Sequence, residues 1–398
     1  MPQGPLSGIR VFDMTLAMVG PWGAMQLGGM GADVIHIEQP SASGAGVPPT
    51  INGTSIGYIA WNMNKRGLTL DMKSPQDRAN AYELLKTCDV FMMNMRPDVA
   101  GRLGVDYETL SQINPGIIYL TITGWGQSGP MRDVPGADPQ ARFFTGFHQG
   151  VGVEDAPAPE VYRRYTLFDA TTGNYGAQAI LMALVARKKT GKGQRIDLSM
   201  MRAGSAVQTP RIAEYLATKQ EPVPMGSQSQ STAPDRAYLC ADARWLGLSA
   251  TSEQEWRGFC AAIKHPELIE DARFATNGDR VDHRKELDAI LEPALHEYPV
   301  DYWILEFGKV SVPCNIVVRW SELRHHGQIT ENGYIVPIDT KAWGRVWTGG
   351  APWRFSATPG KWFSTPGIGE HNDEILAELQ ERRAAAARSN TPTPTERA

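Results

Sequence analysis

The stretch Tyr165–Met200, YTLFDATTGNYGAQAILMALVARKKTGKGQRIDLSM, decides how the chain is read. Apolar residues at Ala177, Ile180, Leu181, Leu184 and Val185 recur at helical spacing and predict an amphipathic helix with one buried stripe. Arg187, Lys188 and Lys189 suit the negative end of the helix dipole, and Gly191 stands where a left-handed cap would close the helix. Past Gly193, the alternation in Arg195-Ile196-Asp197-Leu198 predicts a strand. Asp169 falls just ahead of the helix, joined to it by Ala170-Thr171-Thr172-Gly173. A lone carboxylate at the positive end of a helix has two readings. It is an N-cap, for which Asp is among the best residues, or it is a nucleophile.

Upstream, Ile9–Met14 reads as a buried strand, Pro21–Gly31 as a short helix of small residues, and Asp33–Glu38 as a second strand. Strand, helix and strand within about thirty residues make a βαβ unit and a parallel sheet. The glycines Gly28, Gly29 and Gly31 end that helix instead of opening it, so the dinucleotide fingerprint is missing and a nicotinamide dehydrogenase is disfavoured. Ser41–Gly57 reads as a loop, Leu68–Leu70 as a strand, Ser74–Thr87 as a helix capped by Ser74, and Asp89–Met93 and Ile117–Thr123 as further strands. Asn94-Met95-Arg96-Pro97 follows a strand end, where open α/β sheets hold ligands. Residues 201–231 read as a polar linker. Residues 232–330 read as a smaller domain with strands near Tyr238 and Trp245 and helices at Glu255–Ile263 and Leu287–Glu297. Residues 331–367 read as a glycine-rich section, followed by a helix near Asn372–Glu381 and a disordered tail over 384–398.

The 398 residues allow two or three domains, and a net charge of −4 gives no basic excess for nucleic acid or an anionic membrane. Cys88, Cys240, Cys260 and Cys314 lack CxxC or CxxH spacing, which argues against a metal site and a disulfide framework and fits a cytoplasmic protein. The start MPQGPLSGIR has no signal-peptide core, and no apolar run reaches membrane-spanning length.

Several strings, taken together and in order, resemble the class III coenzyme A transferase family, which includes formyl-CoA and carnitine CoA-transferases and the 2-methylacyl-CoA racemases. They are PLSGIRVFDMT (5–15), the Gly20-Pro21 pair, LGGMGADVIHIEQP (27–40), NMNKRGLTLDMK (62–73), NMRPDVAGRLGVDYETLSQINPGIIY (94–119), ITGWGQSGP (122–130), FDATTG (168–173), ARKKTGKGQRIDLSM (186–200), PELIEDARFATNGDR (266–280) and PGIGEHNDEIL (366–376). The resemblance implies an α/β fold with a large Rossmann-like CoA-binding domain made from residues 1–200 and 331–383. It also implies a smaller α+β domain, and two chains interlocked as a homodimer, with a heteromer as the other possibility.

It further implies that Asp169 is the catalytic carboxylate, attacking a donor thioester to give an aspartyl anhydride and then an aspartyl-CoA thioester. Coenzyme A is then a substrate, with no tightly bound cofactor. Lys65, Arg66, Arg96 and Arg102 stand where the resemblance puts phosphate and adenine contacts, Asn94 lies beside them, and Met18 occupies the turn near the thioester, where some members have Gln. The racemases carry Gly-His-Asp where this chain has Gly136-Ala137-Asp138, so a two-base proton exchange loses one partner. Met225-Gly226-Ser227-Gln228 stands in for the glycine loop of formyl-CoA transferase. Phe143, Phe144 and Phe147 read as core or as an apolar pocket wall. Asp169 is expected to be partly buried, still anionic at pH 7 and held by backbone N–H groups, because full desolvation would cost about 4 kcal/mol and a helix terminus returns roughly 1–2. The rival functions are a 2-methylacyl-CoA racemase or epimerase, and a non-catalytic CoA-binding subunit of a heteromer.

Overall fold

A computed structural model of the chain describes residues 4–40, 48–153 and 165–389, with backbone alone over 386–389. Two compact units emerge, one of Met1–Phe147, Tyr162–Gln220 and Thr330–Ala398, the other of His148–Val161 and Glu221–Ile329. The first unit begins β1 (Arg10–Met14), α1 (Val19–Gly29), β2 (Asp33–Glu38), the short pair β3 (Thr50–Ile51) and β4 (Thr54–Ser55), α2 (Ile56–Trp61) and β5 (Arg66–Thr69). It continues α3 (Pro75–Leu85), β6 (Val90–Met93), α4 (Pro97–Leu103), α5 (Tyr107–Ile113) and β7 (Ile118–Thr123), then α6 (Asp138–Phe144), α7 (Leu167–Thr190), β8 (Gln194–Ser199), α8 (Met200–Val207) and α9 (Thr209–Thr218).

Six of these strands pair in parallel in the order β5-β2-β1-β6-β7-β8. β1, β6 and β7 are buried along their whole length because the sheet is covered on both faces. Val11, Val90 and Ile118 pack with α1 and α7 on one face, while Phe12, Phe91 and Ile117 pack with α3 and the last helix on the other. Each βα connection turns at the carboxyl ends of the strands. The starts of α1, α4 and α7 therefore share that edge of the sheet.

The expected helix around Ile180 exists, but its buried stripe is narrower than the sequence suggested. Ala177, Ile180 and Leu184 are buried, whereas Leu181 and Val185 are exposed. One residue along a helix turns about 100°, which carries both side chains off the line that faces the sheet. The helix also begins earlier than expected, with Thr166 at the N-cap and Asp169 inside the first turn. Its start is pressed against α1. A Cβ on Gly173 would lie 2.5 Å from the Val19 carbonyl oxygen, and one on Gly23 would lie 2.6 Å from that of Gly173.

The second unit holds β9 (Asp235–Leu239), β10 (Trp245–Ser249), α10 (Glu253–Ala262), α11 (Asn277–Asp282), α12 (Arg284–Leu295), α13 (Val300–Lys309), β11 (Cys314–Ile316) and α14 (Trp320–Leu323). Its antiparallel sheet runs β11-β10-β9 over a core that includes Trp256, Phe259, Leu291 and Phe307. After α15 (Gly327–Asn332), the chain forms the hairpin β12 (Ile335–Thr340) and β13 (Gly344–Gly349) and ends in α16 (Asn372–Ser389).

Three further expectations change. The polar linker proposed for 201–231 holds α8 and α9. Ser199 caps α8 by accepting the Arg202 N–H, and Pro210 lies in the first turn of α9. The glycine-rich section contains the β12–β13 hairpin, in which Pro337 interrupts a short apolar stretch (Ile335–Ile338) and β13 is mostly exposed. The last helix continues through the alanines expected to be disordered, as their helix propensity allows. Residues 41–47 of the expected loop and the tail beyond Ser389 lie outside the described residues.

Candidate active site

Asp169 is mostly buried in the first turn of α7, yet it does none of the work of a cap. The amides of Phe168 and Asp169 donate to Oδ2 of Asp138, at 2.8 and 3.2 Å. Among the described residues its own carboxylate has no hydrogen-bond partner. The expectation that backbone N–H groups would hold this anion is thus overturned, because Asp138, at the start of α6, reaches across and takes them. Asp138 in turn sits 2.6 Å from Nη2 of Arg142, one helical turn on, and both side chains are almost fully buried.

Burial, followed by the Asp138 charge and moderated by Arg142, pushes the Asp169 pKa up to about 7. The carboxylate is then about half ionised at neutral pH, more protonated than the sequence suggested. This is the signature of a group held out of water for its chemistry.

The carboxyl edge of the sheet brings several other candidates to this turn. Thr166, the N-cap of α7, makes no capping bond; its hydroxyl donates instead to Sδ of Met18, 2.7 Å away. Met18 is the residue before α1 and so neighbours the Asp169 turn. Asn94, just past β6, clamps the same loop, with its amide donating to the Leu16 carbonyl at 2.7 Å and accepting the Leu16 N–H at 2.8 Å. Arg96 and Arg102, on the rim and along α4, are exposed on either side of Asp98, at 3.9 and 3.2 Å.

Two candidates do not join them. Lys65 is completely buried, with Nζ donating to Asp13 Oδ2 at 2.9 Å and to Asn62 Oδ1 at 2.8 Å. His36 faces the same Asp13 oxygen at 3.0 Å, and Thr15 bonds its other oxygen. Burial alone would raise the Asp13 pKa, but Lys65 and His36 outweigh it and hold the carboxyl well below its usual range. Lys65 is therefore the counter-ion of a buried acid and not a phosphate contact. Arg66 opens β5 at the opposite, amino edge of the sheet, bound to Asp33, Glu374 and Glu378 at 2.7–2.9 Å. With three carboxylates around it, it ties α16 to the sheet. In both cases the burial and pairing partners are remote in sequence, so a basic residue in a loop looked free.

Of the three phenylalanines, Phe143 and Phe144 are exposed, against the core reading, because α6 turns Ala141 and Arg142 inward. Phe144 packs edge-on against Trp125, and Phe147 against Phe168. Met225–Gln228 is held within the second unit, where Gly226 donates its N–H to Gly152 and Gln228 bonds Asp288 and Arg284. Among the described residues no group of three or more His, Cys, Asp or Glu is arranged to hold a metal ion, and no helix is long and apolar enough to cross a membrane.

A doubly covered parallel sheet with a carboxylate drawn partly out of water at its carboxyl edge defines the class: an open α/β fold whose candidate site lies at that edge. Residues 6–372 match the profile of CoA-transferase family III, and the chain belongs to that family and is a CoA-transferase. It is 32% identical over 384 residues to succinyl-CoA:glutarate CoA-transferase of Mus musculus, covering 94% of this chain and 86% of that one. It is 31% identical to succinate–glutarate CoA-transferase of Agrobacterium fabrum (strain C58 / ATCC 33970), covering 94% and 96%. The crystal structure of a CAIB/BAIF family protein from Brucella suis superposes with a TM-score of 0.86 at 30% identity, covering 95% of this chain and all of that one.

Proposed function

We propose that this CoA-transferase moves coenzyme A from a donor thioester to an organic acid by covalent turnover at Asp169, with succinyl-CoA as donor. The observation that carries the reading is the state of that carboxylate, which is partly withdrawn from water, has no hydrogen-bond partner among the described residues and is relieved of capping by Asp138. A carboxylate stripped of water is a better nucleophile than a hydrated one, and its higher pKa makes the anion more basic.

An Asp169 oxygen attacks the donor acyl carbon, the C–S bond breaks, and CoA leaves as thiolate. The thiolate then attacks the Asp169 carbonyl carbon of the anhydride. The C–O bond to the donor acid breaks, releasing that acid and leaving an aspartyl-CoA thioester. The acceptor carboxylate attacks this thioester, and the freed thiolate takes the acceptor acyl group from the second anhydride. Asp169 returns as carboxylate, and no water or redox partner is consumed. An anhydride keeps the activation of the thioester, which an ester on Ser would lose.

Arg96 and Arg102 are assigned to the CoA phosphates, Met18 to the thioester side of the turn, and Asn94 to holding that turn in place. The half-buried Trp125 with the exposed Phe144 packed edge-on against it offers the acceptor an apolar surface. The donor follows the printed activities of the relatives from Mus musculus and Agrobacterium.

Ala137 speaks against the racemase. It is the residue before Asp138, whose carboxylate touches the Asp169 amide, and a methyl group there supplies no second base. We also assign the chain to an interlocked homodimer, to which the exposed apolar residues Leu181, Met182 and Val185 of α7 and Ile212, Tyr215 and Leu216 of α9 contribute.

The test is to incubate the purified chain with succinyl-CoA and a panel of carboxylic acids, trap with hydroxylamine or borohydride, and map the modified peptide by mass spectrometry. Modification at Asp169 and transfer by the chain alone are expected. A label on another peptide rejects the nucleophile, and a need for a sister chain rejects the homomeric enzyme.

A further inference from the structure

Three residues from two helices make one electrostatic unit. Asp138 and Arg142 lie one turn apart on α6 and are buried, and Asp138 grips the start of α7 through two amides. Those amides are the groups by which a helix start ordinarily stabilises an anion. Here the anion they serve is Asp138, from another helix, and not the Asp169 carboxylate of the same turn.

We propose that Asp138 is the positioning residue that sets the charge state of Asp169, claiming the amides of α7 and opposing ionisation of the nucleophile with its own buried charge, while Arg142 limits that opposition. The inference rests on the reading of Asp169 as nucleophile. The Arg142 guanidinium sits as an ion contact off the hydrogen-bonding direction of Asp138 Oδ1, so it neutralises part of the charge without pulling Asp138 from the helix.

The charged surroundings of Asp169 are few. Of the elements packed on α7, α1 and β7 carry no charged residue, α8 carries Arg202, and β8 carries Arg195 and Asp197. None of those three acts on Asp169; among the described residues the two groups that do are Asp138 and Arg142, and their effects have opposite sign. The arrangement suits group transfer. The site must offer an anion to the thioester, yet the same carboxyl must be a tolerable acyl carrier, and a group titrating near the working pH meets both needs.

The opposite signs give a test that a purely structural role would not satisfy. Titration of the Asp169 carboxyl is read by infrared difference against Asp169→Asn, and in parallel kcat/KM for succinyl-CoA is followed from pH 5 to 9. In the parent protein both midpoints are expected near 7. Asp138→Asn, which keeps the shape and the acceptor oxygen, is expected to move both down by about one pH unit or more. Arg142→Met is expected to move both up.

If Asp138→Asn does not fold, as judged by circular dichroism, Asp138→Asn with Arg142→Met removes both charges of the buried pair and is expected to move both midpoints down by less, since the Asp138 effect is the larger of the two. Midpoints that stay at the parent value, or that move together in one direction for both single variants, overturn the proposal. Because the infrared titration does not depend on turnover, an unmoved midpoint with Asp169 still trapped rejects this inference alone, whereas a label on another peptide rejects the nucleophile.

Discussion

At the scale of single residues, burial sets a trade between reactivity and stability at Asp169. In the unfolded chain this carboxyl ionises near 3.8, and in the folded protein near 7. A raised pKa favours the protonated form on folding. The associated stability is therefore whole below about pH 4 and is lost as pH rises through 7, reaching about 2–4 kcal/mol once allowance is made for partial exposure. Asp169→Asn removes the group that must ionise. It should abolish transfer, match the parent in urea unfolding at pH 4, and exceed it by that amount at pH 8; equal stability of the two at both pH values would contradict the burial argument. Lys65 gives the converse case. Lys65→Met strands Asp13 in the core and is expected to cost about 3–5 kcal/mol in urea denaturation, with KM for the CoA donor unchanged in the protein that remains folded. A raised KM without loss of stability would return Lys65 to the phosphate site. Sequence reading singled out Asp169 as a cap from its place beside a helix start, and as a nucleophile only through the family resemblance. It missed the part played by Asp138 because the bond that matters spans 31 residues.

At the scale of elements, the site depends on how closely α7 approaches α1. Gly173 is one turn beyond Asp169, and a methyl group there meets backbone, which has no rotamer by which to yield. Gly173→Ala should therefore push the helices apart, costing about 1–3 kcal/mol, and lower kcat by displacing Asp169 from the Met18 turn. Gly101→Ala, on α4, where nothing lies within 4 Å of the added atom, serves as the comparison and should be neutral or stabilising by about 1 kcal/mol. Similar losses in both variants would mean that helix spacing is not what positions the site. The elements that sequence could name were those with an unbroken apolar run or a local cap, such as β1, β7 and α3, where Ser74 accepts the Asp77 N–H as its spacing suggested. The hairpin β12–β13 and helix α9 escaped, since α9 is short and buries none of its apolar side chains, while Pro337 interrupts the apolar residues of β12 and β13 is mostly exposed.

At the scale of the whole molecule, the parallel sheet was legible from the repeated strand–helix alternation, because sheets covered on both faces need continuous apolar strands. What periodicity could not supply was which surfaces stay uncovered. On the first unit, Leu181, Met182 and Val185 crowd one side of α7, and Ile212, Tyr215 and Leu216 recur at three- and four-residue spacing on α9, a helix with no buried residue of its own. An amphipathic helix of ten residues is marginal in water without a surface to cover its apolar side. In the interlocked homodimer proposed above, a second copy of the chain supplies that surface. Sedimentation equilibrium at micromolar concentration should give twice the chain mass, and dilution should not separate the copies without unfolding, because linked chains must open to part. Leu216→Lys together with Met182→Lys should lower the unfolding midpoint in a concentration-dependent way. A parent protein that sediments at the mass of one chain would exclude the dimer, and would require α9 to hold its fold through contacts within the chain alone.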